Sequence, residues 1–406
     1  MKSLFKFPLY AVLAAGVAFG AASCSDDNDL SWSEERENAL KGATTAFADK
    51  TVIPIYHNLA DATIELTDLC AQIETSVKAN ASTDISAAGT GSFCAATQDL
   101  LQKACDKWYE ARKYWELSEA FLFGAAGDYN IDPHIDSWPL NATDLQALLD
   151  DPYRMGMMDD EYAAGLGYGL QGFHAVEYMI FDRTKSSSEL KGYARTMPYK
   201  QTAEVVYLAA VAGDMANQCV RLEAAWAGLD NVSEEKQTML ADAELEPAFD
   251  YGESMRNAGK GGSAYVSYLD AAQDILQGCS DIADEVGNTK IGRPNTGTSG
   301  EDISYIESPY AKNSKTDFYD NIVSIKNAYQ GTNSGDASVS DYLASVNEAA
   351  DKAINDALDA TLTAIDGAPA PFVNYAGKNN ANWAAATTAC NALKKALDNA
   401  STAIGQ

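Results

Sequence analysis

The sequence predicts an all-α protein made of two packed helical bundles in series, each built like a four-helix bundle. Apolar residues recur at helical spacing in the long segments, for example at Leu101, Cys105, Trp108, Trp115 and Leu122, which would line one buried helix face. No strand-like alternation of apolar and polar residues competes with this pattern. The length of 406 residues suits two domains of ordinary size.

The helical segments are placed by their periodicity and by glycine and proline at their boundaries. Loops are predicted at residues 128–141 and 291–300, and a break at 259–262. The pattern restarts after that break, so we predict an N-terminal bundle over 33–245 and a C-terminal bundle over 246–406. The predicted helices cover residues 33–77 (interrupted near Pro54), 92–123, 142–150, 161–181, 199–229, 233–243, 264–286, 316–329, 339–364 and 380–403.

Residues 1–23 predict a secretory signal peptide. Lys2 and Lys6 give a basic start, a mostly apolar run follows, and small residues precede Cys24. This order is typical of a lipoprotein, so Cys24 is the predicted lipidation site. Ala21 stands where lipoprotein signals more commonly carry a larger aliphatic residue, and cleavage without lipidation, giving a soluble secreted protein, is the alternative. No later stretch reaches the ~18–20 apolar residues of a spanning helix.

Residues 24–32 predict an acidic, solvated tether, since SDDND follows Cys24. The run also resembles the export tag behind the lipidated cysteine of surface lipoproteins in the Bacteroidota. That resemblance implies an outer-membrane lipoprotein exposed at the cell surface, with the periplasmic face as the alternative.

The chain is strongly acidic. Its net charge is −29, and loss of residues 1–23, which hold two lysines and no acidic residue, brings it to −31. A field of this sign repels nucleic acid and anionic membrane and favours cations. Nucleic acid is therefore excluded as a partner, whereas acidity alone does not specify a metal.

Six cysteines remain when Cys24 is set aside, and none form a C-x-x-C pair, which argues against a zinc ribbon. Outside the cytoplasm up to three disulfides could form, but cysteine in a helix is as often a small buried apolar residue. We expect at most one or two bridges, with Cys70 to Cys94 or Cys105 as the first candidates.

The stretch GLQGFHAVEYMIFD holds one of the three histidines. His174 and Glu177 are three residues apart and share a helix face, so both could reach one metal ion. The spacing differs from H-E-x-x-H, in which two histidines bind zinc and the glutamate acts as base. A buried hydrogen-bonded pair is the competing interpretation. Glycines at 165, 167, 169 and 172 each cost about 1 kcal/mol in a helix and indicate close packing or an irregular helix near a site.

A second polar stretch lies on the predicted helix 92–123. Arg112 can meet Glu116 at i+4, and Glu119 follows on the same side. A surface ion pair would explain this pattern, yet Trp115 and Phe121 indicate that part of the surface is buried. A buried Arg–carboxylate pair is costly to keep without a use.

Three blocks, ARKYWELSEAFLFG, IDPHIDSWPLN and GFHAVEYMIF, resemble blocks that occur in this order in imelysin-like proteins, whose hallmark is G-x-H-x-x-E. Looser matches, DEVGNTKIGRP, NIVSIKNAYQG and APFVN, extend the resemblance from about residue 51 to the C-terminus. The chain is most similar to the Bacteroides branch of that family.

The resemblance implies two helical bundles with the site between them and a link to bacterial iron uptake; the family is also catalogued among metallopeptidases. It makes His174 and Glu177 the hallmark pair and the candidate metal ligands. Residues 308–314 correspond to a segment in which relatives often carry acidic or histidine ligands, and here they carry none. The implied neighbours of the pair are Arg112, Glu116, Glu119, Trp138, Tyr178 and, in the second bundle, Glu285.

Three functions are open at this point. The first is a lipoprotein that binds iron or an iron-containing ligand for uptake, with an envelope transporter as candidate partner, since iron accepts oxygen and imidazole donors. The second is a zinc-type metallopeptidase, which needs three protein ligands, an open water position and a base; the sequence offers no complete set, and no catalytic residue is assigned. The third is a metal-free pocket for a small molecule or a partner protein.

Overall fold

The computed structural model describes residues 27–183 and 189–405, and it confirms the all-α fold. The predicted signal peptide and the lipidation site Cys24 lie outside the described residues. Within them the only strand-like pairings are two isolated bridges, and no helix is both long and apolar enough to cross a membrane. The long helices are α1 (Asp27–Ala46), α2 (Ile53–Ala79), α4 (Ala95–Glu116), α11 (Ala203–Ala227), α14 (Tyr268–Asp284), α17 (Ser314–Gln330), α18 (Val339–Asp366) and α19 (Ala381–Ala403).

Shorter helices connect the long ones. Two single-turn widenings are π-helical, at Phe47–Val52 and Glu285–Gly292, and 3₁₀ turns occur at Glu119–Phe121, Tyr168–Leu170, Leu229–Asn231 and Phe372–Asn374. The short α-helices are α3 (Ala81–Asp84), α5 (Ala125–Asp128), α6 (Ile131–Ile135), α7 (Ala142–Leu149), α8 (Pro152–Met155), α9 (Asp160–Ala164), α10 (Gly172–Ile180), α12 (Glu234–Asp242), α13 (Tyr251–Arg256), α15 (Arg293–Thr296) and α16 (Gly300–Ser304).

Capping side chains set where several long helices begin. Ser267 accepts a hydrogen bond from the backbone of Asp270 at the start of α14, and Ser338 does the same for Asp341 at the start of α18. Each satisfies a backbone N–H that the first helical turn leaves unpaired. Pro54 directly follows the π-helical turn Phe47–Val52, and the helical backbone continues from that turn into α2, so the predicted interruption is a π-helical turn rather than a break.

The helices pack in two groups around one large apolar core, and a small second cluster lies around Val220 and Leu240. Helix α2 packs between α4 and α11, and α10 packs on α11 and α4. Helices α14, α17, α18 and α19 form the second group. Helix α1 packs on α14 and α18, so the first described helix belongs to the group formed by the C-terminal helices. This helix also begins earlier than predicted, at Asp27 within the proposed tether.

The predicted helix at 161–181 is wrong. The structure breaks it into α9, the 3₁₀ turn Tyr168–Leu170 and α10, because Gly172 adopts φ +71°, outside the helical region. A Cβ at Gly172 would overlap the carbonyl group of Ile135, so this glycine lets α10 start directly against the end of α6. Nothing lies within 4 Å of a Cβ at Gly167, so crowding does not explain every glycine in the run.

Three smaller predictions also need correction. The helix predicted to reach residue 123 ends at Glu116 and is followed by the turn Glu119–Phe121. The predicted loops at 128–141 and 291–300 contain α6 and α15. The expected disulfides are absent among the described residues, where all six cysteines are free and all but Cys94 are buried.

Candidate metal centre

The predicted pair His174 and Glu177 lies inside a cluster of ionisable side chains that are at most 4% exposed. Helix α4 and the turn after it contribute three of them, α10 contributes two, and the others come from distant parts of the chain. We call this set the buried charge cluster: Arg112, Glu116, Glu119, Asp136, His174, Glu177, Lys290, Glu307 and Asp317.

Asp136 contacts several members of the cluster. It follows α6 directly, and the close approach of Gly172 to Ile135 sets it against the first turn of α10. One carboxylate oxygen accepts from the Arg112 guanidinium, and the other accepts from Trp115 Nε1 at 2.8 Å. Burial alone would raise the pKa of Asp136, but Arg112 and His174 hold that pKa below its ordinary value. Asp136 is therefore a carboxylate at neutral pH.

His174 lies between two carboxylates. Its Nδ1 is 3.3 Å from Glu177 Oε2, and its Nε2 is 3.1 Å from Asp136 Oδ1, at an angle that makes no aligned hydrogen bond. Burial lowers the pKa of His174, whereas the two carboxylates raise it, and the net result is a pKa of about 9. Without a metal the ring is therefore an imidazolium at neutral pH, and a metal would have to displace a proton to bind it.

Glu177 is engaged by backbone amides. Its Oε1 accepts from the N–H groups of Tyr310 and Ala311, each at 2.8 Å. These bonds fix the loop that follows α16 against α10, and that loop carries Glu307. Glu177 thus orients His174 with one oxygen and positions the loop with the other, a supporting role of the kind that carboxylates play around metal-binding histidines.

Glu307 reaches the cluster from the second helix group. Its Oε1 lies 2.6 Å from the Arg112 guanidinium and 3.1 Å from Lys290 Nζ. Glu116 pairs with the same nitrogen of the Arg112 guanidinium and accepts from Asn321 Nδ2. The cluster therefore joins α4 to α17 and to the π-helical turn, across the two groups.

Negative groups exceed positive ones in the cluster. Six carboxylates face three cationic side chains, counting His174 as protonated. Burial and mutual repulsion raise the pKa of several of these acids by more than Arg112 and Lys290 lower it. The pKa values of Glu116 and Glu119 lie well above their ordinary range, and that of Asp317 is about 6. Unpaired buried charge is costly, so the excess is relieved by bound protons or by a bound cation.

Three ligand sets in the cluster could hold a metal ion. In each, one donor atom per residue lies within 4.8 Å of the others: Asp136, His174 and Glu307; Glu116, Glu307 and Asp317; Glu116, Glu119 and Asp136. Arg112 lies among the carboxylates of the second set and also pairs with Asp136 and Glu307 of the first, and Lys290 lies beside two carboxylates of the third and beside Glu307. In the first set, His174 Nε2 and Glu307 Oε2 are buried and have no hydrogen-bond partner. In the second set Glu116 Oε1, Glu307 Oε2 and Asp317 Oδ2 likewise have no hydrogen-bond partner. The first set is the one that adds an imidazole nitrogen to two carboxylates, and it is therefore the candidate metal centre.

A family model described as Peptidase_M75, Imelysin, matches residues 74–400. The chain belongs to the imelysin family. It is 27% identical over 240 residues to the iron-regulated protein A of Synechococcus elongatus, an alignment that covers 59% of this chain. The chain spans only about half of that relative, since the alignment covers 55% of its length.

Two solved structures share the fold. The crystal structure of an iron-regulated protein A precursor from Parabacteroides distasonis superposes with a TM-score of 0.71 at 24% identity, over 91% of this chain and 95% of that one. An imelysin-like protein from Psychrobacter arcticus superposes with a TM-score of 0.56 at 15% identity, over 91% and 93% of the two chains. At these identities the likeness shows the fold alone.

The structure brings most of the predicted site residues of this imelysin family member together. Trp138 covers the centre, with its ring centroid 6.1 Å from that of His174 and 5.5 Å from that of Tyr305. Tyr178 packs on Tyr310 and under the Arg183 guanidinium. The other predicted residues are Arg112, Glu116, Glu119, His174 and Glu177 inside the cluster, and Glu285 at its rim.

Sequence reasoning missed four members of the cluster: Asp136, Lys290, Glu307 and Asp317. Asp136 and Lys290 lie within blocks that carry the family resemblance, IDPHIDSWPLN and DEVGNTKIGRP, and so could have been found there. Glu307 directly precedes the segment 308–314, which supplies backbone amides instead of ligands. The donor atoms that converge with His174 thus come from Asp136 and Glu307, and not from the predicted ligand Glu177.

Proposed function

We propose that this imelysin family member binds iron, or an iron-containing ligand, in the cell envelope, with Asp136, His174 and Glu307 as the ligand set. The observation that carries the proposal is the convergence of one imidazole and two carboxylates, with donor atoms of Asp136, His174 and Glu307 within 4.8 Å of one another, in a cluster whose carboxylates outnumber its cations. One imidazole and two carboxylates suit iron, which accepts nitrogen and oxygen donors.

The comparisons support the link to iron. The Synechococcus relative carries the name iron-regulated protein A. The burial of all three ligand side chains favours a bare ion over a bulky chelate, because a chelate would have to displace Trp138 or the loop that carries Glu307.

We further propose that the protein works as an outer-membrane lipoprotein, anchored at Cys24 and exposed at the cell surface. The order of basic start, apolar run and small residues before Cys24 supports this assignment, as does the acidic run behind it. A lipid anchor would hold the centre near an envelope transporter, the candidate partner. Mass spectrometry of the membrane fraction, looking for a diacylated Cys24 as the N-terminus, tests the anchor.

A zinc-type metallopeptidase is the alternative that the family name suggests. A peptide bond would have to reach the metal and an open water position, yet the three ligand side chains are at most 3% exposed. The geometry therefore supports ion binding better. Chelator-sensitive cleavage of a peptide library by the purified protein would support the peptidase instead.

Metal analysis and calorimetry test the proposal. We expect untreated protein to contain iron and the chelated protein to rebind it. The His174→Gln variant removes the ring nitrogens and should weaken binding at least tenfold. The matched control is His57→Gln, because His57 also lies between two carboxylates but outside the cluster. Absence of binding to either oxidation state of iron would overturn the proposal in favour of a metal-free pocket.

A further inference from the structure

Lys290 is a buried cation beside the proposed centre, and the proposed function does not use it. Its side chain is 1% exposed, and its Nζ lies 3.1 Å from Glu307 Oε1, 3.3 Å from Glu119 Oε1 and 3.8 Å from Glu116 Oε2. The ammonium also lies 5.2 Å from the centroid of the Trp138 ring that covers His174. Lys290 therefore shares the ligand Glu307 with the proposed ion.

The local backbone explains how a lysine comes to this place. Lys290 lies on the π-helical turn Glu285–Gly292, in which residues five apart fall on one side. Glu285 and Lys290 are five apart, and each acts electrostatically on the other. π-Helical turns occur often at functional sites, because the extra residue turns a side chain towards a site that a regular α-helix would miss.

A cavity reaches Lys290's partner from the outer side. Its volume is about 270 Å³, and its walls include Glu119, Asp274, Asp281 and Glu285. Glu119 belongs both to this acidic wall and to the contacts of Lys290. The ammonium thus lies between the carboxylate that faces the cavity and the carboxylate that faces His174.

We propose that Lys290 is an internal competitor for the cation at this centre and that its charge limits how tightly the ion binds. This inference rests on the proposed function. The ammonium neutralises part of the charge on Glu307, which the ion needs, and repels any cation bound between Asp136, His174 and Glu307. The repulsion grows with the charge of the ion, so Lys290 weakens the binding of a trivalent ion more than that of a divalent one. A centre whose affinity is limited in this way can release its ion, as a protein that transfers a metal to another carrier must do.

The test compares Lys290→Met with wild-type protein. Methionine keeps much of the length of the side chain and removes its charge. Dissociation constants are measured for Mn²⁺ and for Fe³⁺ supplied from nitrilotriacetate. We expect Lys290→Met to bind Mn²⁺ at least tenfold more tightly and to gain still more for Fe³⁺. Lys290→Arg keeps the charge and should stay near wild type.

The matched control is Lys236→Met. Lys236 is also buried and also pairs with two carboxylates, Glu223 and Asp61, but it shares no partner with the cluster. It should leave both dissociation constants unchanged. Should Lys290→Met fail to fold, Lys290→Gln is the second neutral variant.

The outcomes separate this inference from the proposed function. If the wild-type protein binds the ions and the neutral variants bind them equally or more weakly, the proposed role of Lys290 is wrong and the proposed function stands. A gain of equal size for both ions also overturns the role of Lys290, because loss of a charge must favour the trivalent ion. Binding by Lys290→Met alone supports the inference but overturns the proposed function for the wild-type protein. No binding by any variant overturns both.

Discussion

Two histidines of this protein lie between two carboxylates with a basic side chain nearby, and they differ in burial. His174 is 3% exposed and faces Asp136 and Glu177, each 1% exposed. His57 is 53% exposed; its Nδ1 lies 2.7 Å from Glu223 Oε1 and its Nε2 3.4 Å from Asp61 Oδ2. The group around His57 also includes Lys236, whose Nζ lies 2.5 Å from both carboxylates; Lys236 and Glu223 are buried, whereas Asp61 is half exposed.

The difference teaches that residue types alone do not define a site. At His57 the acids find partners in Lys236, in the histidine and in solvent; within the described part of the chain, none of the buried unpaired polar atoms belongs to this group. Around His174 water is excluded, so each unmatched carboxylate costs free energy. The buried cluster retains oxygen and nitrogen atoms without hydrogen-bond partners, and several of its carboxylates converge with His174, which makes it the candidate centre.

The largest expected effect comes from removing the central cation of each group. Arg112→Met leaves Asp136, Glu116 and Glu307 buried with one fewer positive partner, and we expect the free energy of unfolding to fall by about 3–5 kcal/mol. Lys236→Met should cost only about 1–2 kcal/mol, because Asp61 is half exposed and water screens it. Urea unfolding measures both values, and equal losses would erase the distinction between the two groups.

The next effect is a pH dependence that belongs to His174. Its pKa of about 9 in the folded protein exceeds the ordinary value of about 6.5. The stabilisation is therefore fully present below about pH 6.5 and is lost as the pH rises through about 9, a change of about 3 kcal/mol. In chelated protein, the difference in unfolding free energy between wild type and His174→Gln should shrink by that amount over this range.

The same experiment in high salt sharpens the result. Buried pairs are screened far less than exposed ones, so the pH dependence should persist. Curves for wild type and His174→Gln that run parallel from neutral to alkaline pH would show that the ring is not charged in the folded protein.

A smaller effect tests how the buried group is assembled. Gly172→Ala places a side chain at positive φ and against the Ile135 carbonyl, and we expect a loss of about 2 kcal/mol together with weaker ion binding, because Asp136 must move away from His174. Gly167→Ala is the matched control, since its Cβ would meet open space, and should change stability by no more than about 0.5 kcal/mol. Equal effects would mean that the close approach at Gly172 does not hold the cluster.

Part of the site could be predicted because it lies on continuous helices. Arg112 and Glu116 are four residues apart on α4, and His174 and Glu177 are three apart on α10, so helical geometry alone faces each pair in one direction. Asp136, Lys290 and Glu307 could not be placed in this way. They lie at a helix end, on a π-helical turn and in a loop, where sequence spacing gives no direction.

The sequence by itself determined the all-α fold and the approximate course of its long helices, because apolar periodicity and capping act within a few turns of one chain segment. Only the tertiary structure decided which charges meet. It set Asp136 against His174 through the glycine contact at Ile135, and it brought Glu307 and Lys290 from the second helix group. The physical reason is desolvation. A carboxylate needs a neighbouring cation only when the packing of distant segments removes its water.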